Sequence, residues 1–280
     1  MAAGQSSAQR LTAALVAAVL AAVSIVNAQD IIRGGRRGQR PRFATVEDFD
    51  GGFSYCRAYY NSVYNTGSGS GWDTDYPAAD NNFSVRLSEL TRVPVKLGSD
   101  RQPRNVVIRL DDPVLFHCPL LFIEDTGGAE LTGEEVLRLR EYLLKGGFLW
   151  MDDSWGSENW SGWIHQLSRV LPPSEFPVVD IPVTHQIMHT LYDVKEIPQI
   201  PSINFWYRSG GQTSENGSDS RPVFFKGVLD RQGHLIVVMS HNTDIADSWE
   251  REGENREFFD LFSPRGYAVG VNVVVYALTH

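Results

Sequence analysis

Residues 119–156 read PLLFIEDTGGAELTGEEVLRLREYLLKGGFLWMDDSWG, and this stretch decides the fold. Leu120, Leu121, Phe122 and Ile123 form one unbroken apolar run, and Phe148, Leu149, Trp150 and Met151 form another. Runs without polar alternation suit strands covered on both faces, as in a parallel sheet between helices. The segment between them is punctuated as a helix. Thr132 is a good N-cap, and Glu135 three residues later completes a capping box. Glu134 and Glu135 also put negative charge at the positive end of the helix dipole. Val136, Leu139 and Leu143 recur at i, i+3 and i+7, with Leu137 and Leu144 widening the stripe. Gly146 and Gly147 stop the helix. Strand, helix and strand make a βαβ unit with parallel strands.

Parallel strands open their carboxyl ends on one edge of the sheet, and in open α/β sheets that edge binds ligands. There the sequence places Glu124, Asp125, Thr126, Gly127 and Gly128 after one strand, and Asp152, Asp153, Ser154 and Trp155 after the other. Asp125, Asp152 and Asp153 are candidate metal ligands or bases; their plainer reading is capping or loop hydrogen bonding. Gly127 and Gly128 either present amides to an anion or simply turn the chain. Trp155 offers a ring face for stacking on a sugar, whereas Trp160 and Trp163, at helical spacing, read as core. His185 lies in a loop after Pro182 and is a candidate cleft residue. With His189 it has the i, i+4 spacing of zinc-binding pairs, but HQIMH lacks the glutamate of zinc proteases, and no third ligand is evident.

The pattern excludes several chemistries. No G-x-C-x-G or G-x-S-x-G elbow is present, the glycine-rich run at 67–71 has no strand leading into it, and Cys118 sits at the wrong end of its strand. A Cys-His or Ser-His hydrolase therefore lacks its geometry. No P-loop, dinucleotide fingerprint or Cys-rich metal motif appears, so the sequence calls for no cofactor. The chain carries 25 basic and 34 acidic side chains, net −9. Six arginines and one aspartate fall in the first 42 residues, so the remainder has 19 basic against 33 acidic side chains, net −14. An acidic body argues against nucleic acid as a partner.

The N-terminus has its own logic. Residues 1–28 read as a signal peptide: Arg10, an apolar stretch over 11–23, and Val26-Asn27-Ala28 as a small-residue cleavage site. Five arginines follow, which favours the rival reading of an uncleaved membrane anchor. Residues 29–42 form a Gly/Arg-rich linker, and 43–280 a single α/β domain. A periplasmic or secreted location permits Cys56 and Cys118 to pair, and two buried thiols are the alternative. Other expected elements are strands at 42–49, 93–97, 106–110, 176–183 and 204–208, a helix capped by Asp80, and a helix over 157–171. A β-hairpin is expected over 223–240, and two closing helices over 255–262 and 266–278.

The blocks LTGEEVLRLREYLLKGGFLWMDD, IPVTH, DRQGHLIVVMSHNTD and DTDYPAADNNFSVRLSELT together resemble a bacterial family, domain of unknown function four-one-five-nine. The resemblance spans residues 43–280. It implies a flavodoxin-like, class I glutamine-amidotransferase-like three-layer sandwich with a mostly parallel sheet. It supplies no established activity and transfers no amidotransferase triad, because the elbow is missing. The matching cleft positions are Asp125, Gly127, Gly128, Asp152, Asp153 and His185. The expectation is an exported protein binding a small polar ligand, such as a carbohydrate, or an envelope protein. The alternative is a metal-assisted hydrolase using Asp125, Asp152 and His185.

Overall fold

The two apolar runs lie side by side as parallel strands, with Leu121 opposite Leu149 and Glu124 opposite Asp152. The computed structural model describes residues 41–63 and 71–280. The expected signal segment, most of the linker and most of the glycine-rich run at 67–71 lie outside the described residues. Nine strands are described: β1 (Cys56–Tyr59), β2 (Asn61–Ser62), β3 (Val106–Arg109), β4 (Leu121–Glu124), β5 (Ala129–Glu130), β6 (Leu149–Asp152), β7 (Val178–Asp180), β8 (Phe224–Leu229) and β9 (Leu235–His241). The described α-helices are α1 (Ala78–Leu90), α2 (Gly133–Leu144), α3 (Gly156–Val170), α4 (Ile203–Ser209), α5 (Asp247–Glu250) and α6 (Arg256–Thr279).

Seven strands form one sheet in the order β3-β1-β4-β6-β9-β8-β7. The first five are parallel, and the β8–β9 hairpin and β7 add antiparallel pairs at one side. Side chains alternate between two cores, as the two-residue strand period requires. Leu121, Ile123, Leu149 and Met151 pack with Val136, Leu139 and Leu143 of α2 and Trp163 and Leu167 of α3. Phe122, Trp150 and Val238 face the other way, toward Phe83 and Leu87 of α1, Trp249 of α5 and Val269 of α6. The protein is thus an α/β sandwich with a mostly parallel sheet between helices. Helix α2 forms as its sequence dictates: the Thr132 hydroxyl accepts from the Glu135 amide at 3.2 Å, and the Glu135 carboxylate accepts from the Thr132 amide at 2.7 Å. Gly146, at φ 95°, lets the chain leave it.

Several local expectations fail for identifiable reasons. Residues 42–49 do not form a strand. The Asp48 carboxylate accepts from the Thr45 amide at 2.8 Å and closes a 3-10 turn over Val46–Asp48. Residues 93–97 make only isolated bridges to Phe53 and Pro103. The aromatic run at 204–208 is helix α4, because the Ser202 hydroxyl caps it at the Phe205 amide, 3.2 Å, and Gly210 ends it. The two closing helices are one, α6, running through Pro264. Pro264 and Asp260 are both exposed, so the carbonyl that loses its amide partner is open to water.

Two buried links set the β1 end of the sheet. Cys56 and Cys118 are disulfide-bonded, joining the start of β1 to the segment entering β4 across 62 residues of sequence. Arg57 is fully buried on β1 and pairs with Asp80 and Glu124. Its Nε donates to Asp80 at 3.0 Å and its Nη1 to the Thr74 carbonyl at 2.9 Å. One guanidinium therefore ties α1, the turn before it and the end of β4 together. Asp80 serves this ion pair rather than capping the helix, whose N-cap is Pro77.

Opening a loop of this size in the unfolded chain lowers stability by about 4 kcal/mol on the chain-entropy estimate. The Cys56→Ser/Cys118→Ser double variant is expected to show that loss in urea unfolding, and an unchanged midpoint would refute it. Arg57→Met strands two buried carboxylates and is expected to cost about 3–5 kcal/mol. Arg57→Lys is expected to recover only part, because a single ammonium does not fork to both acids.

Candidate functional site at the carboxyl edge

Three adjacent strands end in the same unusual way. β4, β6 and β9 are followed by Asp125, Asp153 and Asn242, each in the left-handed region at φ 45°, 53° and 62°. Asp75, in the turn before α1, joins them at φ 60°. Such conformations cost about 1–3 kcal/mol at a non-glycine residue and persist only where the surroundings enforce them. Two of the strand-end residues have a visible structural duty. Asn242 accepts from the Gly156 amide at 2.8 Å and donates to the Pro222 carbonyl at 2.7 Å. Asp125 accepts from the Gly71 amide at 2.9 Å. Asp153 has none. It is 1 % exposed, and neither carboxylate oxygen has a hydrogen-bond partner.

Around Asp153 the fold gathers further acids. Asp75, Asp125, Asp244, Asp247 and Glu250 are all buried. Burial is the largest influence on Asp153 and pushes its carboxyl well up, with Asp244, Asp125 and Asp75 pushing the same way. Asp244 is raised by burial first and then by Asp75, and Asp247 by burial first, then by Asp244 and Asp75. One oxygen each from Asp75, Asp247 and Glu250 lie within 4.8 Å of one another. Sequence reading missed Asp75, Asp244, Asp247 and Glu250. A signal was present: 244, 247 and 250 recur every three residues directly after a strand, which places acids on one side of a helical turn.

The expected site residues divide. Asp125 and Asp153 stand at the cluster. Asp152 is buried beside it, accepting from the Ala246 amide at 2.9 Å. Gly127 and Gly128 are buried, and their turn is pressed against α3: a Cβ on Gly127 would lie 2.6 Å from Asn159 Oδ1, and one on Gly162 would meet the Gly127 carbonyl. Close packing accounts for the glycine at 127. Trp155 is 1 % exposed, with no face for a sugar. Trp160 is half-buried and sits on His241, ring centroids 4.6 Å apart.

His185 is elsewhere. It caps the 3-10 turn Gln186–His189, its Nδ1 accepting from the Ile187 amide at 3.2 Å, and burial lowers its pKa. Its ring packs on Tyr276, which packs on Phe148, the residue before β6. That is the amino end of the sheet, about 13 Å of strand from Asp152. Asp125, Asp152 and His185 therefore do not converge. An apolar groove of about 1030 Å³, lined by Phe53, Pro94, Pro119 and Leu278 among others, also lies at the amino end. Near the carboxyl edge, Ser154 Oγ lies 3.5 Å from His241 Nδ1. Burial pushes His241 down to about 4, which makes it a weak base, and Ser154 is fully buried and closed to a substrate.

The buried acids have a consequence for stability. Burial raises Asp152 from 3.8 to about 7, opposed by the Ser240 hydroxyl and the Ala246 amide. Between those values the folded state keeps a proton that the unfolded chain has released, so stability falls as pH rises through the window. The melting temperature is expected to be lower at about pH 8 than at about pH 5. Asp152→Asn, which keeps the acceptor for Ala246, is expected to flatten part of that slope; a melting temperature that rises with pH would contradict it.

No curated protein matches this sequence. The family model described as Domain of unknown function (DUF4159) matches residues 60–278, from the end of β1 to the end of α6. The chain belongs to that family.

Proposed function

We propose that this is an exported protein whose carboxyl-edge site holds a small, positively charged polar ligand. The observation that carries the reading is Asp153: a buried carboxylate without hydrogen-bond donors, set among other buried carboxylates. Such a group is costly unless a proton or a cation joins it. Burial also limits size. Each acid of the cluster is less than a tenth exposed, which suits an ion or an ammonium group better than a sugar face. The fold then belongs with the class I glutamine-amidotransferase-like sandwiches, with an aspartate where a nucleophile would leave the strand. Export is supported by the apolar stretch over 11–23 and by the Cys56–Cys118 bridge, since disulfides persist in oxidising compartments. No described helix is long and apolar enough to cross a membrane.

A second reading is a metal-assisted hydrolase. Asp153 favours it, because it occupies a sharp strand-to-helix turn between β6 and α3. With His185 at the far end, Asp153 would be the base.

Melting of the full chain against amines, amino sugars and inorganic cations at constant ionic strength tests the first reading. A ligand at a hundred times its Kd adds about 2.7 kcal/mol, a shift of roughly 5–10 °C at this size. Asp153→Asn is expected to raise the ligand-free melting temperature and abolish the shift. No shift from any cationic compound, or an unchanged shift in the folded variant, would refute it. Turnover of an ester or amide panel lost in Asp153→Asn would favour the hydrolase. The mass of the mature N-terminus, recovered from the envelope and soluble fractions, separates cleavage from anchoring and tests export.

A further inference from the structure

We infer that the groove at the amino end of the sheet binds a single aliphatic chain with a carboxylate head, the fatty-acid class of ligand. This stands apart from the reading of the carboxyl edge. The groove has a volume of about 1030 Å³, at the upper end of the roughly 300–1,000 Å³ of small-molecule sites. Its lining is largely apolar and comes from separate parts of the chain: Phe53 before β1, Leu90 at the end of α1, Pro119 before β4, Leu191, and Val275 and Leu278 of α6. Leu90, Leu191 and Leu278 are 42 %, 50 % and 39 % exposed. Three leucines open around one concavity make an apolar surface whose covering by an alkyl chain releases water.

The walls of the groove are tied in place. One is made of two segments held edge to edge: the Phe53 amide donates to the Pro94 carbonyl at 2.6 Å, and the Lys96 amide to the Phe53 carbonyl at 2.7 Å. Gly52 permits that approach, since a Cβ there would lie 3.0 Å from the Lys96 nitrogen. Another wall is His117, whose ring stacks on Phe49 with centroids 5.4 Å apart; both line the groove. The Cys56–Cys118 disulfide joins these walls, because Cys118 lies between the lining residues His117 and Pro119, and Cys56 follows Ser54 by two. A site fixed in this way loses little entropy when a ligand enters. Charge at the rim selects the head. Glu89 pairs with Arg86 at 2.9 Å, and Lys96 pairs with Asp50. Arg92 lines the groove, is exposed and forms no ion pair among the described residues. A guanidinium presents the forked N–H donors that match a carboxylate. An apolar chain ending in one carboxylate satisfies lining and rim together.

Calorimetric titration of the full chain with decanoate tests this, below its critical micelle concentration and with decanol and decyltrimethylammonium as chain-matched controls. One saturable equivalent of decanoate is expected, bound more tightly than the trimethylammonium compound. Octanoate and hexanoate are expected to bind progressively more weakly, by up to about fourfold for each methylene removed. Arg92→Gln is expected to weaken decanoate by up to about fivefold and to leave decanol unchanged. The double variant Leu191→Gln/Leu278→Gln, at two exposed positions, is expected to stay folded and to weaken decanoate and decanol alike, by at least about tenfold. No saturable binding of decanoate, affinity indifferent to chain length, an ammonium head bound as tightly as the carboxylate, or wild-type affinity in either variant overturns the inference. Should a variant fail to fold, decanoate carrying a terminal diazirine and photolysed on the wild type decides: label on residues 49–54, 89–94 or 275–278 supports the groove, and label elsewhere, or none, overturns it.

Discussion

Arg57 is the constraint on which the carboxyl edge depends. A guanidinium with no solvent exposure is tolerated only when its donors are satisfied. Burial works against its charge, but Asp80 and Glu124 hold it protonated well above the ordinary arginine value. Asp80 comes from α1, Glu124 from the last position of β4, and the Thr74 carbonyl from the turn before α1. The same turn carries Asp75. Fixing Arg57 therefore fixes where Asp75 stands relative to the strand ends. The disulfide acts beside it, so β1 is pinned at its first residue by a covalent bond and at its second by an ion pair.

That arrangement also explains why Arg57 does not serve Asp153. Arg57 is close to the acids but already shared by two carboxylates. Its charge stabilises Asp80 and Glu124, while burial first raises the proton affinity of Asp153, Asp244 and Asp247, and neighbouring acids add to it: Asp244 on Asp153 and on Asp247, and Asp75 on all three. Structural acids in this protein look different. Asp48 accepts from the Thr45 amide and pairs with Arg42, and Glu135 accepts from the Thr132 amide. Asp153 has no such role, and it occupies a backbone conformation that an L-residue reaches only at a cost.

What the sequence disclosed follows the range of the interactions involved. Helix α2 was legible because its cap, stripe and terminator are all local, and strands β4 and β6 because both their faces are buried. The location of the ligand edge followed from those alone. Helix α4 was misread, since its aromatic run has strand-like composition and the deciding contact is one cap at Ser202. Trp155 and His185 were misread because orientation and end-of-sheet placement depend on packing far away in sequence: Trp155 lies under the 216–219 segment, its carbonyl accepting from Asn216 at 3.0 Å, and His185 leans on α6. The cluster escaped for the same reason, as Asp75 meets Asp247 only through the α1–α5 contact.

The strand-end position itself bears on chemistry. In a nucleophile elbow, the strained residue after the strand projects a reactive atom that neighbouring amides then serve. Here β6 ends in the same kind of turn, but the residue is aspartate and its neighbours are acids rather than amide donors. A nucleophile facing that field would have its developing negative charge destabilised, because oxyanion stabilisation requires donors or cations aimed at the charge. An edge lined with Asp75, Asp125, Asp153, Asp244, Asp247 and Glu250 does the opposite: it attracts positive charge and resists negative charge. Acyl transfer through an anionic intermediate is therefore the chemistry this edge suits least. Holding a cation, alone or as the group that would reverse the local field, is the one it suits best.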